Sequence, residues 1–197
     1  MLDITIGGWN IADSAAVCYD KNMATHKIKT RIKDLESVLE KTSDFIASQN
    51  FPPGFSQFLL YTLSELSANI KEHAQAKTAT IGLEVKNNQC AIIITDDGQG
   101  LLKNYLTKKI RPKDDVAAIE LALNGLSTKS ATERGYGLSS TRKLVALLKG
   151  KLEIKTGTGI VAIEGNASRF KVVKKIPGLV IKITVPIKPI NIYKALD

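Results

Sequence analysis

The sequence predicts an α+β fold in which one sheet packs against a layer of helices. Two segments in the first half of the chain carry apolar residues at helical spacing, whereas most later segments are short strand-like runs. The predicted order is a strand, two helices, two strands, a long loop, a helix and further strands. We therefore expect a two-layer α/β sandwich with a mixed, mostly antiparallel sheet on one side.

The N-terminal part is predicted to contain one strand and two helices. Alternating residues at Leu2–Ile6 favour a short strand. Apolar residues recur at helical spacing over Ala24–Ala47, and Pro52 and Pro53 end that helix because proline cannot continue it. A second helix is expected over Phe55–Ala74.

The C-terminal part is predicted to be mostly strands. Leu101–Arg134 is expected to be irregular and polar, apart from a short helix at Asp115–Leu123. A further helix over Leu138–Leu148 is closed by Gly150. The strand candidates are Thr80–Val85, Gln89–Thr95, Lys151–Lys155, Ile160–Glu164, Phe170–Lys174 and Leu179–Val185.

Length and composition favour one cytoplasmic domain spanning residues 1–197. The chain is 44% hydrophobic and 24% charged, as in ordinary globular proteins. Its apolar runs fall short of the ~18 residues that span a bilayer, and its first residues lack signal-peptide features, so no membrane partner is expected. Cys18 and Cys90 lack metal-ligand spacing, and Cys90 is predicted to be a buried thiol.

The net charge of +9 leaves several partners open. Basic clusters can meet nucleic acid, anionic lipid, nucleotide or an acidic protein. A solvated helix face and a loop explain them more simply, and the absence of interleaved aromatic residues disfavours a single-strand stacking platform. The two clusters are Lys27, Lys29, Arg31 and Lys33, and Lys108, Lys109, Arg111 and Lys113.

The first motif that carries chemistry lies in the second predicted helix. Glu65, Asn69 and His73 are spaced i, i+4 and i+8, so they lie close to one helix face. The Asn69 carboxamide oxygen is a ligand that suits Mg²⁺. The Glu65 carboxylate, one turn earlier, could orient or deprotonate a water or hydroxyl. Taken alone, the pattern is more typical of a polar helix edge.

The second motif is a hydrophobic strand that ends in Asp96 and Asp97, followed by Gly98 and Gly100. Glycines let the backbone turn tightly against a ligand. A half-buried carboxylate at a strand end can accept a hydrogen bond from an exocyclic amine such as that of adenine. A plain Asp-Gly turn explains this motif equally well.

The third motif places glycines before a helix, whose free N–H groups and dipole favour an anion. Upstream, a hydroxyl and an ammonium in a loop could both contact phosphate. No Walker A loop occurs, and Ser139 could simply cap the helix. The residues concerned are Thr128 and Lys129 upstream, and then Gly135, Tyr136, Gly137, Leu138 and Ser139.

The order of the three motifs resembles the GHKL superfamily of ATPases, which have the Bergerat fold and include histidine kinases, gyrase, heat-shock chaperones, mismatch-repair ATPases and anti-sigma serine kinases. The resemblance spans Phe55–Pro186. It implies a histidine-kinase-like ATP-binding region over about 51–190, with an ATP lid over about 101–134, preceded by an N-terminal strand and helix over 1–50. It also implies ATP and Mg²⁺ as cofactors.

The resemblance assigns a role to each motif. Glu65 would be the catalytic carboxylate and Asn69 the Mg²⁺ ligand, while Asp96 would bind the adenine amine. Thr128 and Lys129 would belong to the lid. The nucleotide-binding set is then Asn69, His73, Asp96, Gly98, Gly100, Thr128, Lys129, Gly135, Tyr136, Gly137, Leu138 and Ser139.

Within the superfamily, the layout is most similar to the small anti-sigma-factor serine kinases. A histidine kinase would need a phosphoacceptor histidine on a helical hairpin, and His26 has only one predicted helix between it and Phe55. The basic region 101–134 and the inserted Gly165-Asn166 depart from the anti-sigma pattern. These departures weaken the expectation of direct sigma-factor binding.

The resulting hypothesis is an ATP- and Mg²⁺-binding regulatory switch that acts on a partner protein, by Ser/Thr phosphorylation or by ATP hydrolysis. The partner could be STAS-like or sigma-factor-like, and a homodimer is compatible with this hypothesis. The rival is a non-catalytic module that binds nucleic acid or protein through its basic surface and has a degenerate ATP site. Nucleic acid is the less favoured partner.

Overall fold

The computed structural model describes residues 23–125 and 137–196, so the predicted strand Leu2–Ile6 lies outside the described residues. The predicted α+β sandwich is confirmed. Its strands are β1 (Met23–Arg31), β2 (Thr78–Lys86), β3 (Gln89–Asp96), β4 (Lys151–Glu164) and β5 (Ala167–Pro186). Its helices are α1 (Leu35–Ala47), α2 (Phe55–Asn69), α3 (Gly100–Thr107), α4 (Asp115–Leu123), α5 (Gly137–Leu147) and α6 (Tyr193–Leu196).

The strands form a single sheet in the order β1-β2-β3-β5-β4. All four pairings between these neighbours are antiparallel, so the described sheet has none of the parallel pairing that a mixed sheet would contain. Rows of directly opposed residues cross the sheet and share one face. One such row is Ile28, Ile81, Ile94, Ile181 and Ile154.

The core lies between that face of the sheet and the helices. Phe55, Phe58 and Leu59 of α2 are fully buried and belong to the same cluster as Ile81 and Ile94. Complete burial of such a side chain contributes about 1.5–3 kcal/mol, so α2 anchors the helix layer on the sheet. The helices of the described regions are all too short or too polar to cross a membrane.

The predicted helix over Ala24–Ala47 is wrong in its first part. Met23–Arg31 forms β1, and a 3-10 turn at Ile32–Asp34 leads into α1. Every residue of β1 is paired with β2, and this pairing overrides a weak helical periodicity. His26 lies on this strand, where it stacks on Phe45 and hydrogen-bonds to Thr42 over 2.9 Å.

The end of the second predicted helix also differs from expectation. The α-helix stops at Asn69, and Ile70–Ala74 continues as a single π-helical turn, ended by left-handed Gln75. Tertiary contacts favour this geometry, because Gln99 donates its backbone N–H to the Ala74 carbonyl and Lys71 pairs with Glu36. His73 lies within this π-turn, outside the regular α-helix that the spacing of Glu65, Asn69 and His73 assumed.

Two predictions about the second half need correction. The predicted helix Asp115–Leu123 is confirmed as α4, but the described part of Leu101–Arg134 also contains the unexpected helix α3, which buries Tyr105. The four C-terminal strand candidates merge into two long strands, β4 and β5. β-Bulges near Gly157 keep these strands paired where the alternation of apolar residues breaks. Cys90 is fully buried as predicted, and burial raises the pKa of its thiol to about 12.

Candidate functional site

The first and third motifs meet at the N-terminus of α5. Glu65, half-buried on α2, accepts a hydrogen bond from the Gly137 N–H through Oε2 at 2.9 Å. The first N–H groups of a helix have no partner within the helix, so a carboxylate there satisfies a donor and complements the helix dipole. The Glu65 carboxylate therefore occupies the position that attracts an anion.

Asn69 lies one turn further along α2 and faces the same glycine. A Cβ added at Gly137 would come within 3.4 Å of Asn69 Nδ2 and 3.8 Å of Oδ1. Gly137 also has a φ of +41°, a conformation that L side chains rarely adopt. A Cβ at residue 137 would therefore make only ordinary van der Waals contact with the carboxamide, and the positive φ is the feature that favours glycine there.

Asp96 ends β3 on the helix-facing side of the sheet, two residues after the buried Ile94. Its exposed fraction is 8%, and Oδ1 accepts the Gly98 N–H at 2.8 Å. Burial raises the pKa of Asp96 to about 6, with a smaller rise from the Asp97 charge, while hydrogen bonds from the backbone at Gly98 and Leu179 lower it. Such a carboxylate is a largely buried hydrogen-bond acceptor with a fixed orientation.

The neighbouring carboxylate of Asp97 instead accepts hydrogen bonds from the start of β2. Its Oδ1 accepts the Lys77 and Thr78 N–H groups at 2.7 and 2.9 Å, and its Oδ2 accepts the Thr78 hydroxyl at 2.9 Å. Burial raises the pKa of Asp97, but the hydrogen bonds from Thr78 and Lys77 together outweigh it, so the net pKa is lowered. Asp97 therefore stabilises the start of β2 and is not a candidate ligand group.

The second motif is held against the end of the first by two hydrogen bonds from Gln99. The Gln99 N–H donates to the Ala74 carbonyl at 2.8 Å, and Nε2 donates to the His73 carbonyl at 3.1 Å. At Gly98 a Cβ would lie 2.1 Å from the Ala74 oxygen, so only glycine fits. His73 thus takes part in this contact through its backbone, while its ring lies 3.5 Å from the Glu72 carboxylate.

Two residues missed by sequence reasoning shape the floor of the site. Gly178, at a φ of +64°, packs so closely on β3 that a Cβ would lie 2.0 Å from the Asp96 carbonyl oxygen. Thr156 is fully buried and donates its hydroxyl to the Gly178 carbonyl at 2.8 Å. The Pro177-Gly178 dipeptide between two strand candidates is a usable signal for such a kink, whereas nothing in the sequence marks Thr156.

Three groups that could contact a ligand lie around the C-terminal end of α2. A buried carboxylate accepts a hydrogen bond at Asp96, a carboxamide oxygen is present at Asn69, and a helix N-terminus lies at Gly137. Gln99 Oε1 is also buried without a hydrogen-bond partner among the described residues, so it could accept one from a ligand or a water. A polar ligand with an amine at one end and an anion at the other suits these groups.

Comparison with known families agrees with this geometry. The protein-family model described as histidine kinase-, DNA gyrase B- and HSP90-like ATPase matches residues 54–187 of the chain. The chain belongs to this family. Its described domain is accordingly an ATP-binding domain of the histidine-kinase-like ATPase type. No match was found among curated proteins.

The remaining predicted site residues of this ATPase domain divide into two groups. Gly100 opens α3 at a φ of +76° against Thr156, and Leu138 and Ser139 lie in the first turn of α5, with Leu138 7% exposed. The others lie outside the described residues, as does the part of the predicted lid from 126 to 134. They are Thr128, Lys129, Gly135 and Tyr136.

Proposed function

We propose that the chain is an ATP- and Mg²⁺-binding regulatory switch whose nucleotide state changes its binding to a partner protein. The observation that carries this proposal is the convergence of three separated sequence motifs on one end of α2. The Glu65 carboxylate bonds Gly137, and Gln99 bonds the backbone of His73 and Ala74. These contacts bring Glu65, Asn69, Asp96 and the N-terminus of α5 to one region of the fold.

The adenine end of the site is assigned to Asp96. Its carboxylate is oriented by the Gly98 N–H and sits in the row of helix-facing residues that also contains Leu179 and Thr156. An ionised carboxylate accepts a hydrogen bond from an exocyclic amine about twice as strongly as a neutral acceptor does. Gly98 and Gly178 fit this assignment because a side chain at either would collide with backbone atoms beside Asp96.

The phosphate end is assigned to Asn69 and the N-terminus of α5. The Asn69 carboxamide oxygen is the kind of hard ligand that Mg²⁺ accepts alongside waters and phosphate oxygens. Bound there, Mg²⁺ would supply charge neutralisation for the phosphates. The Gly137 N–H already donates to Glu65, so the remaining first-turn N–H groups of α5 would contribute donors to the phosphate oxygens. Gly137 lies beside the Asn69 carboxamide, which brings the metal ligand and the helix N-terminus together.

Glu65 is assigned the role of proton acceptor. Its carboxylate could receive the proton of a water, giving hydrolysis, or of a partner Ser/Thr hydroxyl, giving phosphorylation. The hydrogen bond to the Gly137 N–H orients this carboxylate and links its position to α5. Both reactions need a proton acceptor at this position, so the proposal covers either of them.

The decisive experiment is a thermal-shift and calorimetry panel with ATP, ADP and GTP, each with and without Mg²⁺. A ligand at 100 times its Kd stabilises a protein by about 2.7 kcal/mol, which is a shift of roughly 5–10 °C for a chain of this size. We expect MgATP to give such a shift and GTP to give none. Absence of any shift with MgATP would overturn the proposal.

The metal assignment is tested by a matched pair of variants. Asn69→Ala should bind ATP without enhancement by Mg²⁺, whereas Asn69→Asp keeps an oxygen ligand and should retain the enhancement. Phosphate release is then assayed for the wild type and both variants. Equal Mg²⁺ enhancement in Asn69→Ala would show that the ligand lies elsewhere.

A further inference from the structure

The outer half of the β4–β5 hairpin extends beyond the rest of the sheet. β3 ends at Asp96, opposite Leu179, and within the described residues β5 from Ala167 to Ile176 pairs only with β4. We call the paired residues Gly157–Glu164 and Ala167–Ile176 the arm. Every second residue of an antiparallel edge strand directs its N–H and C=O away from the partner strand. The arm therefore presents a strand edge that can pair with another chain.

The arm also exposes apolar side chains on its helix-facing side. Phe170 is opposite Val161, and Val172 is opposite Gly159, so these four residues share one side of the hairpin. Val161 is 1% exposed, but Phe170 is 49% and Val172 is 80% exposed. α4 thus covers this side over β4, where a Cβ at Gly159 would meet the Val116 N–H, and leaves it open over β5.

The charges of the arm are strongly one-sided. Its β5 strand carries four exposed basic residues, Arg169, Lys171, Lys174 and Lys175. The one acidic residue of the arm is Glu164, at the tip. Basic residues on an edge strand oppose pairing with an identical strand, because like charges would lie opposite each other. The same residues favour an acidic strand, and the exposed Phe170 and Val172 favour a protein partner over nucleic acid.

We propose that the arm binds an extended acidic segment of a partner protein, which adds a strand to the free edge of β5. Main-chain hydrogen bonds would supply affinity, and the basic and apolar side chains would select acidic residues that alternate with apolar ones. The inference rests on the proposed function only in identifying the partner that binds the arm with the protein on which the switch acts. It does not require nucleotide.

The base of the arm is continuous with the nucleotide site. β5 leaves the arm through Gly178, which packs on the Asp96 carbonyl, and β4 leaves it through Thr156, which hydrogen-bonds Gly178. Asp115 of α4 accepts the Thr158 N–H at 2.8 Å and its hydroxyl at 3.0 Å, which anchors the arm to the helix layer. A partner strand on the arm would therefore pair with β5, the strand that contributes Gly178 to the floor of the site.

The probe is a fluorescent decapeptide of alternating Glu and Val, compared with a decapeptide of alternating Lys and Val. We expect the Glu-Val peptide to bind the full chain by fluorescence polarisation and the Lys-Val peptide not to bind. Lys171→Glu combined with Lys175→Glu should weaken binding at least tenfold. The control Lys33→Glu with Lys41→Glu changes the net charge equally, near α1 at the other edge of the sheet, and should change affinity less than twofold.

Amide hydrogen exchange distinguishes strand addition from loose electrostatic attraction. The Glu-Val peptide should slow exchange within Ala167–Ile176 and leave α1 unchanged. Failure of this peptide to bind, or binding without that protection, would overturn the proposal. Binding of a single-stranded DNA oligomer to the arm with no peptide binding would assign the arm to nucleic acid and overturn it as well. The MgATP thermal shift should be the same in the arm variant and the wild type. If it is, the loss of peptide binding does not come from damage to the nucleotide site.

Discussion

At the scale of single residues, two adjacent carboxylates have opposite environments. Asp96 is buried and has a raised pKa, whereas Asp97 is exposed, receives three hydrogen bonds and has a lowered pKa. The end of the strand explains the difference, because Asp96 is the last residue of β3 and faces the helices, whereas Asp97 follows the strand and its carboxylate binds the start of β2. Only the side chain on the helix-facing side can contact a ligand between the layers.

The pKa of Asp96 predicts how nucleotide affinity depends on pH. Because its pKa in the folded protein is about 6, the carboxylate is ionised at pH 7 and becomes protonated as the pH falls towards 5. Affinity for ATP, measured by calorimetry, should therefore fall over that interval. Asp96→Asn should bind at least tenfold more weakly at pH 7, since a hydrogen bond to a charged group contributes about 1.5–3 kcal/mol.

The phosphates of ATP titrate in the same pH range, so variants provide the control. Asp97→Asn should keep a pH-dependent affinity like that of the wild type but with its midpoint shifted to lower pH, because the Asp97 charge no longer raises the pKa of Asp96. Asp96→Asn should show only the shallower profile of the ligand. If ATP affinity depends on pH identically in Asp96→Asn and in the wild type, Asp96 does not contact the adenine.

Glu65 combines two roles that variants can separate. Its carboxylate accepts the Gly137 N–H, and it is the assigned proton acceptor. Glu65→Gln can still accept that hydrogen bond but is a poor base, so it should keep its melting temperature and MgATP affinity while losing phosphate release. Glu65→Ala also removes the cap and should lose about 0.5–2 kcal/mol of stability in denaturant unfolding. Normal phosphate release by Glu65→Gln would refute the role as a base.

At the scale of elements, the hairpin of β4 and β5 shows how a local conformation serves the site. Gly178 and Gly165 both have positive φ values, +64° and +57°. Beyond that shared strain their surroundings differ: a Cβ at Gly178 would collide with the Asp96 carbonyl, whereas nothing lies within 4 Å of one at Gly165. The two glycines therefore form a matched pair for mutagenesis.

We expect Gly165→Ala to cost about 1–2 kcal/mol, which is the cost of a left-handed conformation for an L residue. Gly178→Ala should cost more, because the end of β3 must also move, and it should weaken MgATP binding. Chemical denaturation and calorimetry measure the two effects. Equal losses of stability with unchanged nucleotide affinity would show that Gly178 does not shape the site.

The elements also show why sequence patterns misassigned β1. Its apolar residues fit a helix as well as a strand over a short run, and its side chains are only partly buried. Pairing with β2 along the whole strand decides the conformation, and no local pattern contains that information. The π-turn after Asn69 has the same origin, because contacts with Gln99 and Glu36 lie far away in the sequence.

At the scale of the whole molecule, one core supports every part of the site. α2 contributes buried residues to the core on one side and Glu65 and Asn69 to the site on another. Loss of core packing should therefore reduce global stability without a specific effect on ligand contacts.

The pair Leu63→Ala and Leu60→Ala tests this separation, since both residues lie on α2 and are 2% and 39% exposed. Leu63→Ala should cost about 2–5 kcal/mol, as large-to-small substitutions in cores do, and should lower the melting temperature by roughly 5–15 °C. Leu60→Ala should cost less than about 1 kcal/mol. The MgATP shift should persist in both variants; its loss in Leu63→Ala alone would show that the core and the site are coupled.

The sequence by itself determined the fold class and the family, and it marked the three segments to which we assign the nucleotide site. It could do so because glycines, a strand-end carboxylate and polar residues in a helix leave local signatures in the right order. The tertiary structure decided which carboxylate of the Asp96–Asp97 pair faces the helices, and that Glu65 caps α5. It also decided that Gly178 and Thr156 close the floor of the site and that β5 continues beyond β3 as a basic, partly apolar edge. These features depend on contacts between distant segments, and local periodicity carries no record of such contacts.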